Sequence, residues 1–334
     1  MAQWIESCWY FLRYTDPHND QAPFQRGVAN AWMPVDHYFG GIEHAVLHLF
    51  YSRFFTKVLR DLGMVSVGEP FRRYFAHGMV LEDGAVMSKS RGGVGPDEMI
   101  ARYGADALRT YVLFMGPPEA EADWREGGIE GISRFLNRVW RVVLDRRLFL
   151  ALHQAGHPER IESNAAVALT RKVHQTIRRV TEDIERFHFN TAISAMMELV
   201  NAMVEARNNV VHKGLSGPDM PAAYLEACET LSLLLAPFAP HLAEELWERV
   251  GGEGSVHLAS WPDWDREAAR EAEITVVVQV NGKVRDRLTV APGTPREELE
   301  VLAMASPKVQ AHLAGKSVRQ TIVVVGRLVN VVTN

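Results

Sequence analysis

The segment PVDHYFGGIEHAVLHLFYSRFFTKVLRDL, residues 34–62, decides the fold of the N-terminal part of the chain. Residues 34–39 form a short apolar run that is typical of a buried strand, and residues 42–62 carry apolar side chains near helical spacing. A second strand-like run follows at residues 75–81. Strand, helix and strand in this order are the unit of a parallel sheet, so we predict an α/β fold for residues 1–115.

The middle of the chain, residues 116–270, has the pattern of a helical bundle. Apolar side chains recur at helical spacing in residues 129–143, 167–187, 193–211 and 224–235. A last helix is expected to begin at Pro240, because proline is favoured in the first turn of a helix. Four or five amphipathic helices joined by short loops predict a bundle.

The C-terminal residues 274–334 have the pattern of a small α+β domain. Asn281-Gly282 stands between two strand-like runs and is a strong hairpin signal. Residues 295–313 predict one or two helices, and Gly326-Arg327 separates two further strands at 321–325 and 328–332. The acidic stretch 261–273 is the expected linker to this domain.

Composition narrows the class of protein. The 334 residues are 47% hydrophobic and 23% charged, which indicates packed domains instead of extended disorder. The net charge of −5 gives no general attraction to nucleic acid, so such binding would need local basic faces. Two cysteines, Cys8 and Cys228, fit neither a disulfide framework nor a zinc cluster. The sequence has neither a signal peptide nor an apolar run of about 18 residues, so we expect a cytoplasmic chain with no membrane partner. The two separated cysteines also lead us to expect no structural metal.

The loop around Met87-Ser88-Lys89-Ser90 carries the first chemical signal. A lysine between small polar residues can close over a phosphate chain and neutralise its charge, and nearby glycines, Gly92, Gly93 and Gly95, would let the loop move. An ordinary solvated basic turn uses the same residue types. The four residues alone leave both interpretations open.

This loop belongs to an ordered set of motifs along the chain. The set comprises Ser7-Cys8-Trp9-Tyr10-Phe11-Leu12-Arg13-Tyr14, the Pro34 to His44 segment, Gly78-Met79-Val80-Leu81, Met87-Ser88-Lys89-Ser90, Tyr103-Gly104-Ala105-Asp106, Arg134-Phe135-Leu136-Asn137-Arg138-Val139-Trp140, Phe189-Asn190-Thr191-Ala192-Ile193, Ala236-Pro237-Phe238-Ala239-Pro240-His241 and Val278-Gln279-Val280-Asn281-Gly282-Lys283-Val284-Arg285. In this order the motifs resemble bacterial leucyl-tRNA synthetase, a class I aminoacyl-tRNA synthetase, over essentially the whole chain. The segments GGIEHAVLH and VQVNGKVR favour the leucine enzyme over its isoleucine, valine and methionine relatives.

The resemblance implies a domain plan and a reaction. Residues 1–115 would be the second half of a Rossmann-type catalytic domain with the MSKS loop. Residues 116–270 would be a helical-bundle domain of the anticodon-binding type, and residues 274–334 a small α+β domain that binds tRNA. The family joins leucine to ATP, with Mg²⁺ accompanying the nucleotide, and then transfers the leucyl group to tRNA(Leu).

The resemblance also assigns residues to roles at the reaction site. Lys89 would stabilise charge on the phosphates, supported by Ser88 and Ser90. The implied ATP-binding residues are Gly40, Gly41, Glu43, Met79, Val80, Met87 and Lys89. The implied leucine-binding residues are Cys8, Phe11, His44 and His48.

Plainer interpretations of these residues remain open. His44 and His48 stand four apart on the predicted helix 42–62 and would share one face, so they could also be packing histidines or part of a metal site. Glu43 could serve the helix dipole, and Met79 and Val80 could be ordinary buried strand residues.

Basic residues on two helices and in the terminal domain are candidates for tRNA contact. We single out Arg134, Arg138, Arg141, Arg171, Arg178, Lys283, Arg285 and Arg327, to which Lys172 and Arg179 add further positive charge. Mixed solvated charge is the alternative interpretation for each face.

The sequence departs from the family in four places. No HIGH-type motif occurs in these residues, Val86 replaces the usual lysine before the signature methionine, and Cys8 and Phe11 alter the usual SSWYY-like run. Arg91-Gly92-Gly93 also replaces a Lys-Gly-Asn pattern. We therefore expect an incomplete sheet with an exposed edge, completed by a HIGH-containing partner polypeptide or by self-association. The alternatives are a non-catalytic tRNA-binding or interaction module from a truncated synthetase, and a fragment or mis-started gene.

Overall fold

The computed structural model describes residues 5–87, 93, 95–145, 164–213, 219–270 and 274–334. Ser88, Lys89 and Ser90 therefore lie outside the described residues, as do Arg91 and Gly92. Within the part of the chain that the structure describes, no helix is both long and apolar enough to cross a membrane.

The N-terminal part contains the predicted parallel unit. Its elements are α1 (Tyr10–Tyr14), α2 (Arg26–Trp32), β1 (Tyr38–Gly41), a 3₁₀ turn (Ile42–Ala45), α3 (His48–Asp61) and β2 (Tyr74–His77). Strands β1 and β2 pair in parallel, with Tyr38 opposite Tyr74 and Gly41 opposite His77. The α/β prediction is thus confirmed here, although the first strand begins later than expected and Val35 makes only an isolated bridge to Phe71.

The predicted strand at 75–81 is wrong as one element. It divides into β2 and β3 (Val80–Glu82), and β3 lies in another sheet between β4 (Ala85–Val86) and β5 (Ala122–Asp123). The division falls at Gly78, whose N–H donates to Pro118 O at 2.8 Å. A Cβ at Gly78 would lie 2.0 Å from Ala120 O, so only glycine allows this close backbone approach.

The predicted continuous helix at 42–62 is also wrong. Leu47, with φ −110° and ψ −102°, separates the 3₁₀ turn from α3. His44 and His48 therefore do not share the face of one helix, although their rings lie 6.1 Å apart. The separation follows from the backbone of Leu47, which apolar spacing does not reveal.

The helical part of the structure is built from long amphipathic helices. They are α4 (Pro96–Tyr103), α5 (Ala105–Phe114), α6 (Glu126–Val143), α7 (Asn164–Glu185), α8 (Phe189–Lys213), α9 (Met220–Leu235) and α10 (Pro240–Arg249). The predicted α6 stripe is confirmed, since Ile129, Ile132, Leu136, Val139 and Val143 are all buried. The same core includes Met99 and Tyr111, so α4 and α5 pack into the bundle.

The C-terminal part is a four-stranded sheet with two helices. Its elements are β6 (Ile274–Val280), β7 (Lys283–Val290), α11 (Arg296–Ala305), α12 (Pro307–Leu313), β8 (Val318–Val324) and β9 (Leu328–Thr333), with strand order β7-β6-β9-β8. The predicted hairpin is confirmed, and Asn281 and Gly282 have φ of +51° and +77° as a tight hairpin turn requires.

The predicted linker at 261–273 is instead packed against α7 over its described residues. Trp261 Nε1 donates to Thr181 Oγ1 at 2.8 Å, and Gln175 Nε2 donates to Ala269 O at 3.1 Å. The side chain of Ala269 is buried. These contacts make the segment part of the bundle surface up to residue 270.

Candidate functional site

The β1–β2 sheet has two chemically different faces. Tyr38 and Tyr74 are paired in the register and lie on one face, because side chains alternate along a strand. Phe39 and Phe75 are paired on the other face, with ring centroids 5.6 Å apart. The hydroxyl-bearing face lies next to candidate leucine residues, and the phenylalanine face lies next to the helical bundle.

On the hydroxyl-bearing face, three aromatic side chains form a hydrogen-bonded chain. Tyr10 Oη lies 2.7 Å from Tyr38 Oη, which lies 2.7 Å from His48 Nε2. Ser52 Oγ is 3.4 Å from the same histidine nitrogen. Burial and the Tyr10 contact raise the pKa of Tyr38, while burial followed by the neighbouring His44 lowers the pKa of His48. Both groups are therefore held neutral at neutral pH.

Sequence reasoning did not select Tyr10 or Tyr38 as site residues. Both lie within the recognised motifs, Tyr10 next to Phe11 and Tyr38 two residues before Gly40. A hydroxyl-bearing side chain beside a candidate pocket residue was therefore the feature that could have identified them. His48 is buried, and its hydrogen bonds fit the interpretation of a satisfied packing histidine; its role in a pocket wall stays a prediction.

The carboxyl end of β1 carries the candidate ATP residues. Tyr74 Oη donates to Gly41 O at 2.7 Å, and a Cβ on Gly40 would lie 2.7 Å from the same hydroxyl. The Glu43 carboxylate folds over Gly41. His44 Nε2 lies 3.9 Å from Glu43 Oε1, while His44 Nδ1 is buried with no hydrogen-bond partner among the described residues.

This arrangement suits a bound ligand. The carboxyl ends of parallel strands are where open α/β sheets bind ligands, and at this end Gly41 is buried beneath the Glu43 carboxylate. A buried donor or acceptor without a partner is costly, so the unpartnered His44 nitrogen marks this strand end as a candidate functional position. Burial, followed by the negative charge of Glu43, raises the pKa of Tyr74 and keeps its phenol protonated as a donor.

Met79 and Val80 lie beside the end of β2. Met79 O accepts from Ala122 N–H at 3.1 Å, and Val80 O accepts from Met87 N–H at 3.0 Å. Both residues line a cavity of about 210 Å³ that α5 and Phe189 close on the other side. Met87 thus anchors the start of the MSKS loop to β3.

The four candidate leucine residues lie in different surroundings. Phe11 lines a cavity of about 360 Å³ together with Tyr14, Thr15, Trp32, Met33, Val35 and Asp36. Cys8 is buried in the core of the N-terminal part, and burial raises the pKa of its thiol. The link between Phe11 and His48 runs through Tyr10, whose ring lies 5.6 Å from Phe11 and 6.2 Å from His48.

Among the described residues, no three His, Cys, Asp or Glu side chains come together as a metal site. His44 and His48 accordingly have no third ligand in that part of the chain. The metal interpretation of this pair therefore has no geometric support.

The candidate tRNA-binding residues differ in their exposure and in their ion pairing. Arg134, Arg138 and Arg141 are exposed along one face of α6, with Glu130 3.9 Å from Arg134. On α7, Arg178 is exposed and Arg171 lines a cavity of about 590 Å³. The neighbouring Lys172 and Arg179 are instead engaged with Glu198 of α8, at 2.6 and 3.7 Å.

In the C-terminal sheet, Lys283 and Arg327 are exposed near strand ends. Arg285 is half-buried, and its Nε has no hydrogen-bond partner among the described residues. Asp286 is engaged with Ser306 and Lys308, at 2.5 and 3.1 Å. Lys283 and Arg327 are therefore the more accessible cations of the three candidates.

Comparison with known proteins shows which families this chain resembles and how much of their length it covers. Residues 4–125 match the family model of tRNA synthetases class I (I, L, M and V), and residues 168–302 match the anticodon-binding domain of tRNA ligase. The leucine–tRNA ligase of Geobacter sp. (strain M21) is 49% identical, over 99% of this chain and 40% of the relative. That of Symbiobacterium thermophilum is 47% identical, over 99% of this chain and 41% of the relative.

A solved structure shares the fold. The crystal structure described as the ternary complex of Agrobacterium radiobacter K84 agnB2 LeuRS, tRNA and LeuAMS is 35% identical, with a TM-score of 0.78 over 98% of this chain and 42% of that one. The chain spans about two fifths of the length of the curated relatives it matches. It is therefore a homologue of the bacterial leucyl-tRNA synthetases, combining a class I tRNA synthetase segment with an anticodon-binding segment.

Proposed function

We propose that this chain supplies part of the leucyl-adenylate site and of the tRNA(Leu)-binding surface of a leucine–tRNA ligase. The observation that carries the proposal is the end of β1, where Gly40, Gly41 and Glu43 lie beside the imidazole of His44, whose Nδ1 has no hydrogen-bond partner among the described residues. A ligand with hydroxyl and phosphate groups fits these donors and acceptors. The homology of the chain supports ATP as that ligand.

The residues divide the work of ATP binding. Glu43 accepts from the ribose hydroxyls, the Gly40-Gly41 backbone approaches the nucleotide closely, and Met79 and Val80 lie against the adenine ring. Lys89, supported by Ser88 and Ser90, neutralises charge on the phosphates as the leucine carboxylate attacks the α-phosphate. Mg²⁺ arrives with the nucleotide and supplies further positive charge to the phosphate oxygens.

Leucine is proposed to bind along the hydroxyl-bearing face. His44 and His48 form part of the pocket wall, and His48 is held by Tyr38, which in turn contacts Tyr10. The lowered pKa of His48 favours a neutral ring, which suits an apolar side chain better than an imidazolium would. Phe11 supports the wall from the core of the N-terminal part, and Cys8 is buried in the preceding turn.

The proposed domain roles follow the sequence divisions. Residues 1–115 contribute the second half of a Rossmann-type catalytic domain, residues 116–270 the anticodon-binding-type bundle, and residues 274–334 a small tRNA-binding domain. Exposed arginines of α6 and α7 and the cations Lys283 and Arg327 provide positive faces for tRNA phosphates.

An unusual face of α3 supports the need for a partner polypeptide. Its buried side carries His48, Ser52, Thr56 and Leu59, three of them polar. Its exposed side carries Phe50, Phe54 and Val58, with Leu47 just before the helix, and Phe50 and Phe54 are 62% and 60% exposed. A helix normally buries its apolar face, so this stripe is suited to contact with another polypeptide segment.

We propose that the segment covering α3 is the HIGH-containing part of a leucyl-tRNA synthetase. That part would complete the nucleotide site and cover the open side of the β1–β2 sheet, where each strand pairs on one side only among the described residues. An apolar stripe and an unpaired strand edge are together suited to such completion.

Leucine-dependent exchange of pyrophosphate with ATP tests the proposal. The chain is mixed with a HIGH-containing polypeptide from a leucyl-tRNA synthetase relative, and exchange is measured with leucine, isoleucine, valine or methionine. We expect exchange with leucine only, and a loss of at least a hundredfold with Lys89→Ala. A matched control, Lys316→Ala in the terminal domain, is expected to keep full exchange.

Two other results would overturn the catalytic proposal. Absence of exchange in the mixture, with salt-dependent tRNA binding by the chain alone, would favour the non-catalytic tRNA-binding module. Self-association of the chain without binding of the HIGH-containing polypeptide would show that α3 is covered by a second copy. The first result is read from the exchange assay and tRNA-binding titrations, and the second from sedimentation of the two polypeptides, singly and mixed.

A further inference from the structure

Phe187 connects the helical bundle to the β1–β2 sheet. It lies between α7 and α8, and its ring contacts the phenylalanine face of the sheet. The ring centroid lies 5.1 Å from Phe39, 5.3 Å from Phe75 and 5.3 Å from His37. On the bundle side it lies 5.9 Å from Phe189, the first residue of α8. One side chain thus joins residues of the candidate catalytic part to the beginning of a bundle helix.

The backbone at Phe187 is unusual for a phenylalanine. Its φ is +61°, in the left-handed region. Phe187 N–H donates to Ile184 O at 3.0 Å, and His188 N–H donates to Asp183 O at 2.7 Å. This pair of bonds is a Schellman motif, in which the residue at the Phe187 position is most often glycine because a Cβ is strained there.

A strained residue at a fixed position needs a compensating interaction. The loop would close with less strain if residue 187 were glycine, so the helix end itself does not account for phenylalanine. The compensating interaction is the set of edge-to-face ring contacts with Phe39, Phe75 and His37, at 83°, 70° and 85°. The side chain therefore serves the contact with the sheet.

The sheet that Phe187 contacts is small and carries the candidate ATP residues. Strands β1 and β2 have four residues each, and Phe39 remains 49% exposed even with this contact. Phe39 is directly followed by Gly40 and Gly41. A shift of the Phe39 and Phe75 side chains would move the strand ends where the nucleotide is proposed to bind.

We propose that Phe187 is a positioning residue through which the helical bundle fixes the strand ends of the candidate ATP site. The structural part of this proposal concerns the chain alone, and its effect on ATP use rests on the proposed function. Phe187 itself does not touch the reacting atoms; it acts through Phe39 and Phe75.

Hydrogen exchange of the full chain tests the structural part. Phe187→Gly removes the ring and relieves the left-handed backbone, so the α7 end should be as protected as before or more so. We expect the amides of 38–41 and 74–77, including Tyr38 N–H on Arg73 O, to exchange at least tenfold faster. Phe187→Leu keeps apolar bulk, so its exchange rates should lie between those of the unaltered chain and those of Phe187→Gly. Phe50→Leu, an exposed aromatic of α3, is the control and should leave these amides unchanged.

Two exchange results would overturn the proposal. Unchanged exchange of both strands in Phe187→Gly would show that the ring does not hold the sheet. Equally accelerated exchange in α7 and in the strands would show general destabilisation instead of positioning.

Kinetics in the mixture with the HIGH-containing polypeptide test the second part. We expect Phe187→Gly to raise KM for ATP about tenfold, with KM for leucine little changed and partial recovery in Phe187→Leu. An unchanged KM for ATP in an active mixture would overturn the positioning role. If the unaltered chain shows no exchange activity, the proposed function fails, while hydrogen exchange still decides whether Phe187 holds the strands.

Discussion

Asp106 caps the helix that contains Leu242. The Oδ2 atom of Asp106, in the first turn of α5, accepts a hydrogen bond from Leu242 N–H at 2.7 Å. Its other oxygen lies 2.8 Å from His241 Nδ1 and 3.4 Å from His241 N. The contact joins two motifs that stand 136 residues apart in the chain and satisfies amides at the N-terminus of α10 that have no partner within the helix.

Removal of this cap should destabilise the helical part. Asp106→Ala leaves the Leu242 amide without its acceptor, and lost N-terminal caps cost about 1 kcal/mol. We expect the free energy of unfolding from urea titration, followed by far-UV circular dichroism, to fall by about that amount. Glu119→Ala, which removes an exposed carboxylate, is the control. Equal unfolding midpoints for Asp106→Ala and the unaltered chain would contradict the capping role.

Local patterns in the sequence predicted the elements that local physics determines. The strand–helix–strand order of the parallel unit, the α6 stripe and the Asn281-Gly282 hairpin each follow from side-chain periodicity or turn preference, although the bounds of the helix and second strand do not. The Asp106 cap did not follow, although both of its motifs were recognised, because no spacing rule brings together residues so far apart. The break at Leu47 and the docking of 261–270 on α7 likewise depend on tertiary contacts.

The sequence singled out glycines and histidines as candidate site residues and missed the tyrosines that lie beside them. Gly40, Gly41, Glu43 and His44 do meet at the end of β1. Tyr38 and Tyr74 acquire their roles from the parallel register that places them side by side. The register depends on pairing between strands, which a single run of sequence does not specify.

The C-terminal sheet should lose stability in acid through Asp286. Hydrogen bonds from Ser306, the Arg287 amide and Lys308 lower the pKa of Asp286 to about 2, from an ordinary value of 3.8. A lowered pKa stabilises the folded state above the unfolded value, and this stabilisation is lost as pH falls from about 4 through about 2. Asp286→Asn should flatten the pH dependence of unfolding in this window.

Near-ultraviolet and far-ultraviolet circular dichroism between pH 2 and 5 measures this dependence. Glu297→Gln, in the first turn of α11, serves as the control because it changes one carboxyl group elsewhere in the same domain. The same loss of stability in Asp286→Asn and in the unaltered chain would show that other carboxyl groups dominate.

The arginine face of α6 should contribute to the salt dependence of tRNA binding. Arg134, Arg138 and Arg141 are exposed on one side of the helix. Each phosphate contact contributes roughly 0.7 to 0.9 to the slope of log affinity against log salt concentration. The triple change to alanine should therefore lower the slope by about 2 in binding titrations between 50 and 200 mM salt.

A matched triple change tests whether position matters beyond net charge. Arg26, Arg60 and Arg72 are also exposed and lie in the N-terminal part. Their replacement by alanine removes the same charge away from α6, and we expect the slope to change by less than one. Equal slopes for the two triple variants would exclude α6 as a specific phosphate-binding face.

The exposed stripe of α3 should govern association with the HIGH-containing polypeptide. Phe54→Glu places a charge where an apolar contact is expected, and we expect at least a tenfold weaker Kd, about 1.4 kcal/mol. Because Phe54 is 60% exposed, the stability of the chain alone should change by no more than about 0.5 kcal/mol. Arg60→Ala, on the same helix, is the control, and an unchanged Kd for Phe54→Glu would place the interface elsewhere.

His48 should make the N-terminal part less stable in mild acid. Burial, followed by the nearby His44, lowers the pKa of His48 in the folded chain below the ordinary value of 6.5. As pH falls below about 6.5, the unfolded chain takes up a proton that the folded chain does not, so stability decreases until the folded group also titrates. One proton limits the slope to about 1.4 kcal/mol per pH unit.

His48→Gln keeps a polar group near Tyr38 and should flatten the dependence of the unfolding free energy on pH between 5 and 7. His257→Gln, a half-exposed histidine of the bundle surface, should leave it intact. Because Tyr38 Oη lies 2.7 Å from His48 Nε2, Tyr38→Phe should also destabilise the chain, by about 1 kcal/mol, at pH 7. A pH profile that is the same in His48→Gln and the unaltered chain would show that His48 is not the group that titrates.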